Sequence, residues 1–192
     1  MSYVNQIYNL GIKNNGYITN KMLLENNIPT IYLSRLSSKG MIDKIEQGIY
    51  LLKDYFEDDF YTLSLKYSRL VFSKKTALYL NELTNQQLEY LEGDFPTGYN
   101  VSNVKNIKSY VVSNKKYNIG LTEVITPLGN KVKCYNKERC ICDLFVYNKN
   151  DIEEVKYVIF NYKEMGINYD LLYEYAEELG VKDKVKSIFE VI

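Results

Sequence analysis

Histidine and tryptophan are absent from the 192 residues, and proline, cysteine and arginine occur three times each. Without histidine there is no Ser-His-Asp or Cys-His catalysis, no histidine metal ligand and no histidine general base. No catalytic residue is expected. Cys134, Cys140 and Cys142 are an odd number of thiols within nine residues, a poor disulfide framework, so reduced cysteines are expected. On a helix, Cys140 and Cys142 would point roughly 200° apart. No fourth soft ligand exists to complete a structural zinc site, so no metal is expected. Glycine-rich phosphate loops, Walker patterns and dinucleotide fingerprints are also missing, and no cofactor is expected. No apolar run approaches about 18 residues. The first twelve residues lack a basic stretch followed by an apolar one, so neither a membrane span nor a targeting signal is expected. The expected location is the cytoplasm.

What is present is ordinary for a globular chain: 46% hydrophobic and 25% charged residues, which argues against extensive disorder. A chain of this length buries about 70% of its unfolded surface and needs no staple. Twenty tyrosines, 20 asparagines and 21 lysines share A/T-rich codons, so tyrosine abundance alone does not indicate a stacking platform. The net charge is zero, but it is unevenly placed. Residues 1–53 carry six basic and three acidic side chains, and residues 100–139 carry eight and two. The stretches 54–99 and 140–192 are acidic. Two basic segments between acidic ones suit contact with a polyanion, or simply a solvated lysine surface.

Val4, Ile7, Tyr8 and Ile12 repeat at helical spacing, and Asn15-Gly16 marks a turn. Tyr17-Ile18 reads as extended, and Thr19 as the cap of a helix over 20–26 that Asn27 ends. Pro29 opens a third helix that runs to about Lys39, where Gly40 supplies a left-handed stop. Ile42, Lys44 and Glu46, then Ile49 and Leu51, alternate about Glu46-Gln47-Gly48 as a tight hairpin does. Three short helices and a hairpin predict a winged helix-turn-helix over 1–53, with Ile7, Leu23, Leu33, Leu36, Ile42 and Ile49 in its core.

The acidic stretch 54–59 reads as a connector, leaving 54–192 as a second domain of mixed α+β type. It shows a helix over 63–68, a strand at Val71-Phe72 and a Ser73-capped helix through Thr76, Leu78, Leu80 and Leu83. Extended candidates follow at 98–101, 108–113, 119–125 and 131–136. From Lys137 the pattern is helical, with breaks near 148–150, Gly166 and Gly180. The fold class is therefore α+β, a winged helix followed by a mixed domain with a helical C-terminal part.

The third helix is the candidate recognition helix. Pro29, Tyr32, Leu33 and Leu36 form its inward stripe, while Thr30, Ile31, Ser34, Arg35 and Ser38 point outward. Such a helix docks in the major groove. Arg35 alone in this domain can make a bidentate contact with guanine, and Ile31 suits a thymine methyl. Thr19, Lys21, Lys39 and the wing residues Lys44 and Gln47 complete the candidate DNA-binding set. Asp43 and Glu46 weaken the wing, which ordinarily favours positive charge. Lys105, Lys108, Lys115 and Lys116 form a second candidate basic surface, for the DNA backbone or another polyanionic partner. Asp143, Glu154 and Lys156 echo a metal-dependent nuclease pattern, but the triplet falls on a predicted helix rather than a strand.

Two stretches carry a family resemblance. Ser73-Lys-Lys-Thr-Ala-Leu-Tyr-Leu-Asn-Glu-Leu83 resembles the S-x-x-T-A-L-x-L-x-x-L helix of AbiEi-type antitoxins. Thr126-Pro-Leu-Gly-Asn130, followed by Val132, Tyr135 and Glu138-Arg-Cys-Ile-Cys-Asp143, is similar to a later segment of the same family. Gly16-Tyr-Ile-Thr19, Ile28-Pro29, Leu33, Leu36, Gly40 and Gly48-Ile-Tyr50 fit its winged-helix region. Lys74 and Asn81 stand where histidines are common, and Thr30-Ile31 where the recognition helix is often basic. The resemblance implies an antitoxin of a type IV toxin–antitoxin (abortive phage infection) pair. Its winged helix would bind promoter DNA at an operator with repeats. Its second domain would neutralise a nucleotidyltransferase-like toxin without a stable complex. Glu138, Arg139 and Asp143 read as a structural ion-pair network. A solitary winged-helix regulator with a ligand-sensing or oligomerising domain is one alternative, and a metal-dependent nuclease using Asp143, Glu154 and Lys156 is the other.

Overall fold

The computed structural model describes residues 2–147 and 152–190. Two compact units emerge: Met1–Ser68 with Ile125–Lys131, and Arg69–Val124 with Val132–Ile192. The expected helix break near 148–150 lies outside the described residues.

The first unit runs α1 (Tyr3–Lys13), β1 (Tyr17–Thr19), α2 (Asn20–Glu25), α3 (Ile31–Ser38), β2 (Ile42–Glu46), β3 (Ile49–Leu52) and α4 (Asp59–Lys66). The Asn15-Gly16 turn holds both residues at positive φ; a Cβ on Gly16 would also fall 2.3 Å from the Tyr55 ring, so glycine is needed twice over. The Thr19 hydroxyl caps α2 by accepting from the Met22 N–H at 3.1 Å. Pro29 does not open α3. It lies two residues ahead and is exposed, while Tyr32 and Leu33 bond back to the carbonyls of Pro29 and Thr30 in a tight entry turn. The hairpin pairs with β1 in the order β1-β3-β2, all antiparallel, with a register shift between Lys44 and Glu46.

This small sheet is buried on both faces. Ile18, Ile42, Tyr50 and Leu52 pack with Ile7, Leu23, Ile28, Leu33 and Leu36 under the three helices. Tyr17, Ile49 and Leu51 pack the other way, against Ile45 and the α4 residues Tyr61 and Leu65. Ile49, expected in the helical core, belongs to this second cluster. The expected division after Lys53 therefore shifts to Ser68, because α4 covers a sheet face that would otherwise stand in water.

The 54–59 stretch is not a bare linker either. Asp58 is 2% exposed and caps α4 through the Tyr61 N–H at 3.2 Å. Its other oxygen accepts from Thr126 Oγ1 at 2.5 Å and Asn130 Nδ2 at 2.8 Å. Its N–H donates to the buried Tyr17 hydroxyl at 2.7 Å. Asn15 Nδ2 closes the other side of the loop, donating to Gly129 O at 3.2 Å and Asn130 Oδ1 at 3.0 Å.

The second unit holds β4 (Val71–Phe72), α5 (Lys74–Leu80), β5 (Glu92–Pro96), β6 (Lys108–Val112), α6 (Asn114–Asn118), β7 (Leu121–Ile125), whose last residue belongs to the first unit, and β8 (Lys131–Tyr135), whose first residue does. Four helices follow: α7 (Lys137–Val146), α8 (Ile152–Glu164), α9 (Tyr169–Leu179) and α10 (Lys182–Phe189). The sheet order is β6-β5-β4-β8-β7, with β5–β6 and β4–β8 parallel and β4–β5 antiparallel. The α5 helix stops at Leu80 rather than Leu83, because Glu82 turns left-handed at φ 60°. The expected strand at 98–101 is a turn and irregular chain. The neighbouring strand is β5, whose sequence EGDFP has poor strand propensity. All five of its residues are buried between β4 and β6. Short, polar α6 carried no apolar period to announce it.

Candidate nucleic-acid interface

α2 and α3 are joined by Asn27 at φ 55°, and Ile28 bonds back to Leu23 O at 2.9 Å and is buried. That turn plants Leu33 and Leu36 in the core and leaves the opposite side of α3 in solvent. Ile31, Ser34, Arg35, Ser38 and Lys39 are exposed there, and Thr30 is half-buried without a capping bond. The guanidinium of Arg35 lies 5.8 Å from the centre of the Tyr32 ring, which also contacts Tyr3 at 5.3 Å. The Ser34 and Ser38 hydroxyls donate to the carbonyls of Ile31 (2.9 Å) and Ser34 (2.6 Å), leaving their oxygens as acceptors. Lys21 on α2 is exposed and 3.9 Å from Glu25. Thr19 does not belong to this surface. It is buried and its hydroxyl is spent on the α2 cap.

At the hairpin tip Lys44 donates to Gln47 Oε1 at 3.0 Å, and both are exposed. The two acidic residues that weakened the wing are each paired with a lysine: Asp43 with Lys53, and Glu46 with Lys66 of α4. Lys66 is accordingly held above the ordinary lysine value by its bond to Glu46. The pairing cancels charge that would repel phosphate.

The second set of lysines is dispersed. Lys108 on β6 lies 3.3 Å from the Tyr90 hydroxyl and 3.8 Å from Glu92, and Lys115 on α6 lies 3.6 Å from Glu178. Lys116 lends its carbonyl to Arg139 at 2.5 Å, and Lys105 is exposed. Of the expected trio, Arg139 and Asp143 do pair, at 2.9 Å, with Arg139 only 1% exposed. Arg139 also donates to Ile119 O at 2.9 Å and lies over the Tyr135 ring at 4.1 Å. Gly120 makes room for it: its φ is 73°, and a Cβ there would come within 2.5 Å of Arg139. Burial pushes the Asp143 carboxyl above the ordinary range against the pull of Arg139. Glu138 is outside this pair and accepts from the Tyr162 hydroxyl at 3.2 Å.

Asp143, Glu154 and Lys156 are not brought together as a nuclease centre. Asp143 serves Arg139, Glu154 on α8 pairs with Lys75 at 3.2 Å, and Lys156 pairs with Glu153 at 2.8 Å. Among the described residues no group of three or more acidic or cysteine side chains is placed to hold a metal ion. All three thiols are free and buried; Cys140 faces Tyr135 O while Cys142 faces Leu172 O.

Helix, strand, two helices and a paired hairpin, with a polar helix face turned to solvent, define a winged helix-turn-helix unit. Residues 5–53 match the protein family described as "Transcriptional regulator, AbiEi antitoxin". The match spans most of α1 through the end of β3, and it supports an antitoxin or regulator role. The stretches 73–83 and 126–143 lie outside it. No curated protein matches the chain. Among the described residues no helix is long and apolar enough to cross a membrane.

Proposed function

We propose that this chain is a cytoplasmic, non-enzymatic antitoxin of a type IV, abortive-infection (phage-defence) pair. It represses its own promoter through α3 and the wing. Its second unit neutralises a nucleotidyltransferase-like toxin without forming a stable complex. The observation that carries the reading is the solvent-facing side of α3, where Ile31, Ser34, Arg35 and Ser38 stand together inside the segment matched to AbiEi regulators. Arg35 supplies the forked donor that reads guanine, and Lys21, Lys39 and Lys44 supply backbone charge. Mobility-shift titration on the chain's own upstream DNA tests it. Arg35→Ala is expected to weaken specific binding by about 1–3 kcal/mol, and removing one phosphate-contacting lysine to reduce the salt slope by about one. Unchanged binding in Arg35→Ala removes Arg35 from the recognition surface. Co-expression with the adjacent gene tests the second half. If the wild-type chain does not restore growth, the neutralising role falls and the chain is a solitary regulator. If Lys115→Ala/Lys116→Ala abolishes rescue yet leaves the DNA salt slope intact, those lysines serve neutralisation.

A further inference from the structure

We propose that the second unit contains a nucleotide-binding site, distinct from the winged helix, that takes a base and its phosphate. A cavity of about 670 Å³ opens there among Lys74, Lys75, Tyr90, Lys108, Tyr110 and Tyr147. The volume suits a small-molecule ligand. Leu78 and Leu144 supply apolar wall, and Glu92 and Asp143 are the carboxylates of the lining.

The polar groups are already arranged and leave a surplus of donors. Glu92 is 4% exposed and accepts from the Lys75 N–H at 3.2 Å and the Tyr110 hydroxyl at 2.6 Å; Asp143 accepts from Arg139. Behind the lining, Asp94 is fully buried and takes Ser73 Oγ at 2.8 Å and Lys74 Nζ at 2.7 Å. Glu154 pairs with Lys75 at 3.2 Å. Lys108 also lies 3.3 Å from the Tyr90 hydroxyl and 3.8 Å from Glu92, yet the side chains of Lys75 and Lys108 remain 50% and 51% exposed, and each ammonium has three donors. An acceptor-rich anion is what such donors bind. Phosphate is the usual one.

The aromatic groups select the other half of the ligand. Tyr90 and Tyr147 are 47% and 36% exposed, and each carries a lysine over its ring, Lys108 at 4.9 Å and Lys74 at 4.7 Å, so the cavity offers aromatic surface and cations side by side. The Lys74 ammonium lies 3.6 Å from the centre of the Tyr110 ring and 4.7 Å from that of Tyr147, tying two walls to one cation. Lys74 holds this place at φ 51°, a left-handed conformation that side chains rarely adopt, and Ser73 gives its hydroxyl to Asp94 instead of capping α5. Strain of this kind persists where the surroundings over-determine it, and it concentrates at ligand sites. Stacking on tyrosine with phosphate on lysine is the chemistry of a nucleotide, either free or as one unit of a single strand.

Calorimetric titration of the full-length chain tests the proposal. The probes are the four ribonucleoside monophosphates, the matching nucleosides, inorganic phosphate and a short single-stranded oligoribonucleotide. The oligonucleotide is titrated into Arg35→Ala with and without the second-unit substitutions below, so that any binding left on α3 and the wing is common to both and the outcome is independent of the promoter reading. A monophosphate is expected to bind, with the nucleoside and inorganic phosphate each weaker by about tenfold or more. Lys75→Ala/Lys108→Ala and Tyr147→Ala should each lose about tenfold, while Tyr147→Phe keeps the affinity. Binding of the oligonucleotide alone, lost in the same variants, assigns the site to a strand rather than a free nucleotide. No binding of either probe, equal binding of inorganic phosphate, or affinity unchanged in the two variants overturns the proposal. Should Tyr147→Ala fail to fold, the exposed lysine pair decides the outcome.

Discussion

The carboxylate of Asp58 accepts a hydrogen bond from the hydroxyl of Thr126 at 2.5 Å across 68 residues of sequence. Both are buried, and Asn130 joins them on the same oxygen. A Thr-Pro-Leu-Gly-Asn turn and an acidic stretch that look unrelated in the sequence thus form one polar joint inside the winged-helix unit. A charge at 2% exposure is tolerable only with its acceptor sites filled, and Asp58 fills them with a helix N-terminus, a hydroxyl and an amide.

Breaking that joint should destabilise the first unit. Asp58→Asn places an amide where two donors converge, and Asp58→Ala leaves Thr126, Asn130 and the Tyr61 N–H without their acceptor. A loss of about 3 kcal/mol is expected for either variant, and about 1 kcal/mol for Thr126→Val. Urea unfolding followed by circular dichroism measures both; an unchanged midpoint for Asp58→Ala would show that water replaces the carboxylate.

The division at Ser68 predicts which fragments fold. A 1–53 fragment exposes Tyr17, Ile49 and Leu51, whereas 1–68 keeps them under Tyr61 and Leu65. Fragment 1–68 should melt cooperatively, below the full chain because Asp58 lacks Thr126 and Asn130. Fragment 1–53 should show no sharp transition. Equal melting of the two would mean α4 adds nothing to the sheet.

If α3 and the wing bind DNA as proposed, Lys66 should matter although it is not on α3. Lys66→Ala uncovers the Glu46 carboxylate on the wing, and the restored negative charge should weaken operator binding about two- to fivefold at low salt. The difference should shrink as salt rises. A Lys66→Ala/Glu46→Gln double variant is expected to recover the affinity; failure to do so points to lost packing instead.

In the second unit, Arg139→Met strands the Asp143 carboxylate and two backbone carbonyls. A loss of about 3–5 kcal/mol in chemical unfolding is expected, because one partner of a buried pair is removed. Adding Asp143→Leu should recover part of it.

Thiol chemistry checks the burial of the cysteines. Burial holds the Cys142 thiol up at about 12, and pushes Cys134 and Cys140 up as well. An ordinary thiol is largely thiolate by about pH 9. Native protein should therefore stay unlabelled by a thiol reagent through that pH, and denaturation should release three reactive groups. Native labelling of even one cysteine would contradict its burial.

Much of the winged helix was legible because its signals are local. The Thr19 cap, the Asn15-Gly16 and Gly40 turns, the Leu33/Leu36 stripe and the hairpin about Gly48 each depend on neighbours a few residues away. Propensity and period report those directly. Pro29 is ambiguous at this level, because a proline that opens a helix and one that precedes it share the same local preference.

The second unit was harder for the opposite reason. Glu92 and Asp94 argue against a strand by propensity, and only partners distant in sequence (Tyr110, Lys74, Ser73) make their burial in β5 favourable. The sequence by itself determined most helices and turns of the first 53 residues and the solvent-facing side of α3, since those follow from short-range spacing and backbone sterics. Tertiary structure alone decided that α4 closes the sheet, that Asp58 binds Thr126, and that Lys74 stands between two tyrosine rings. Each of these rests on desolvated polar or apolar surface finding a complement far along the chain, and no local pattern encodes that complement.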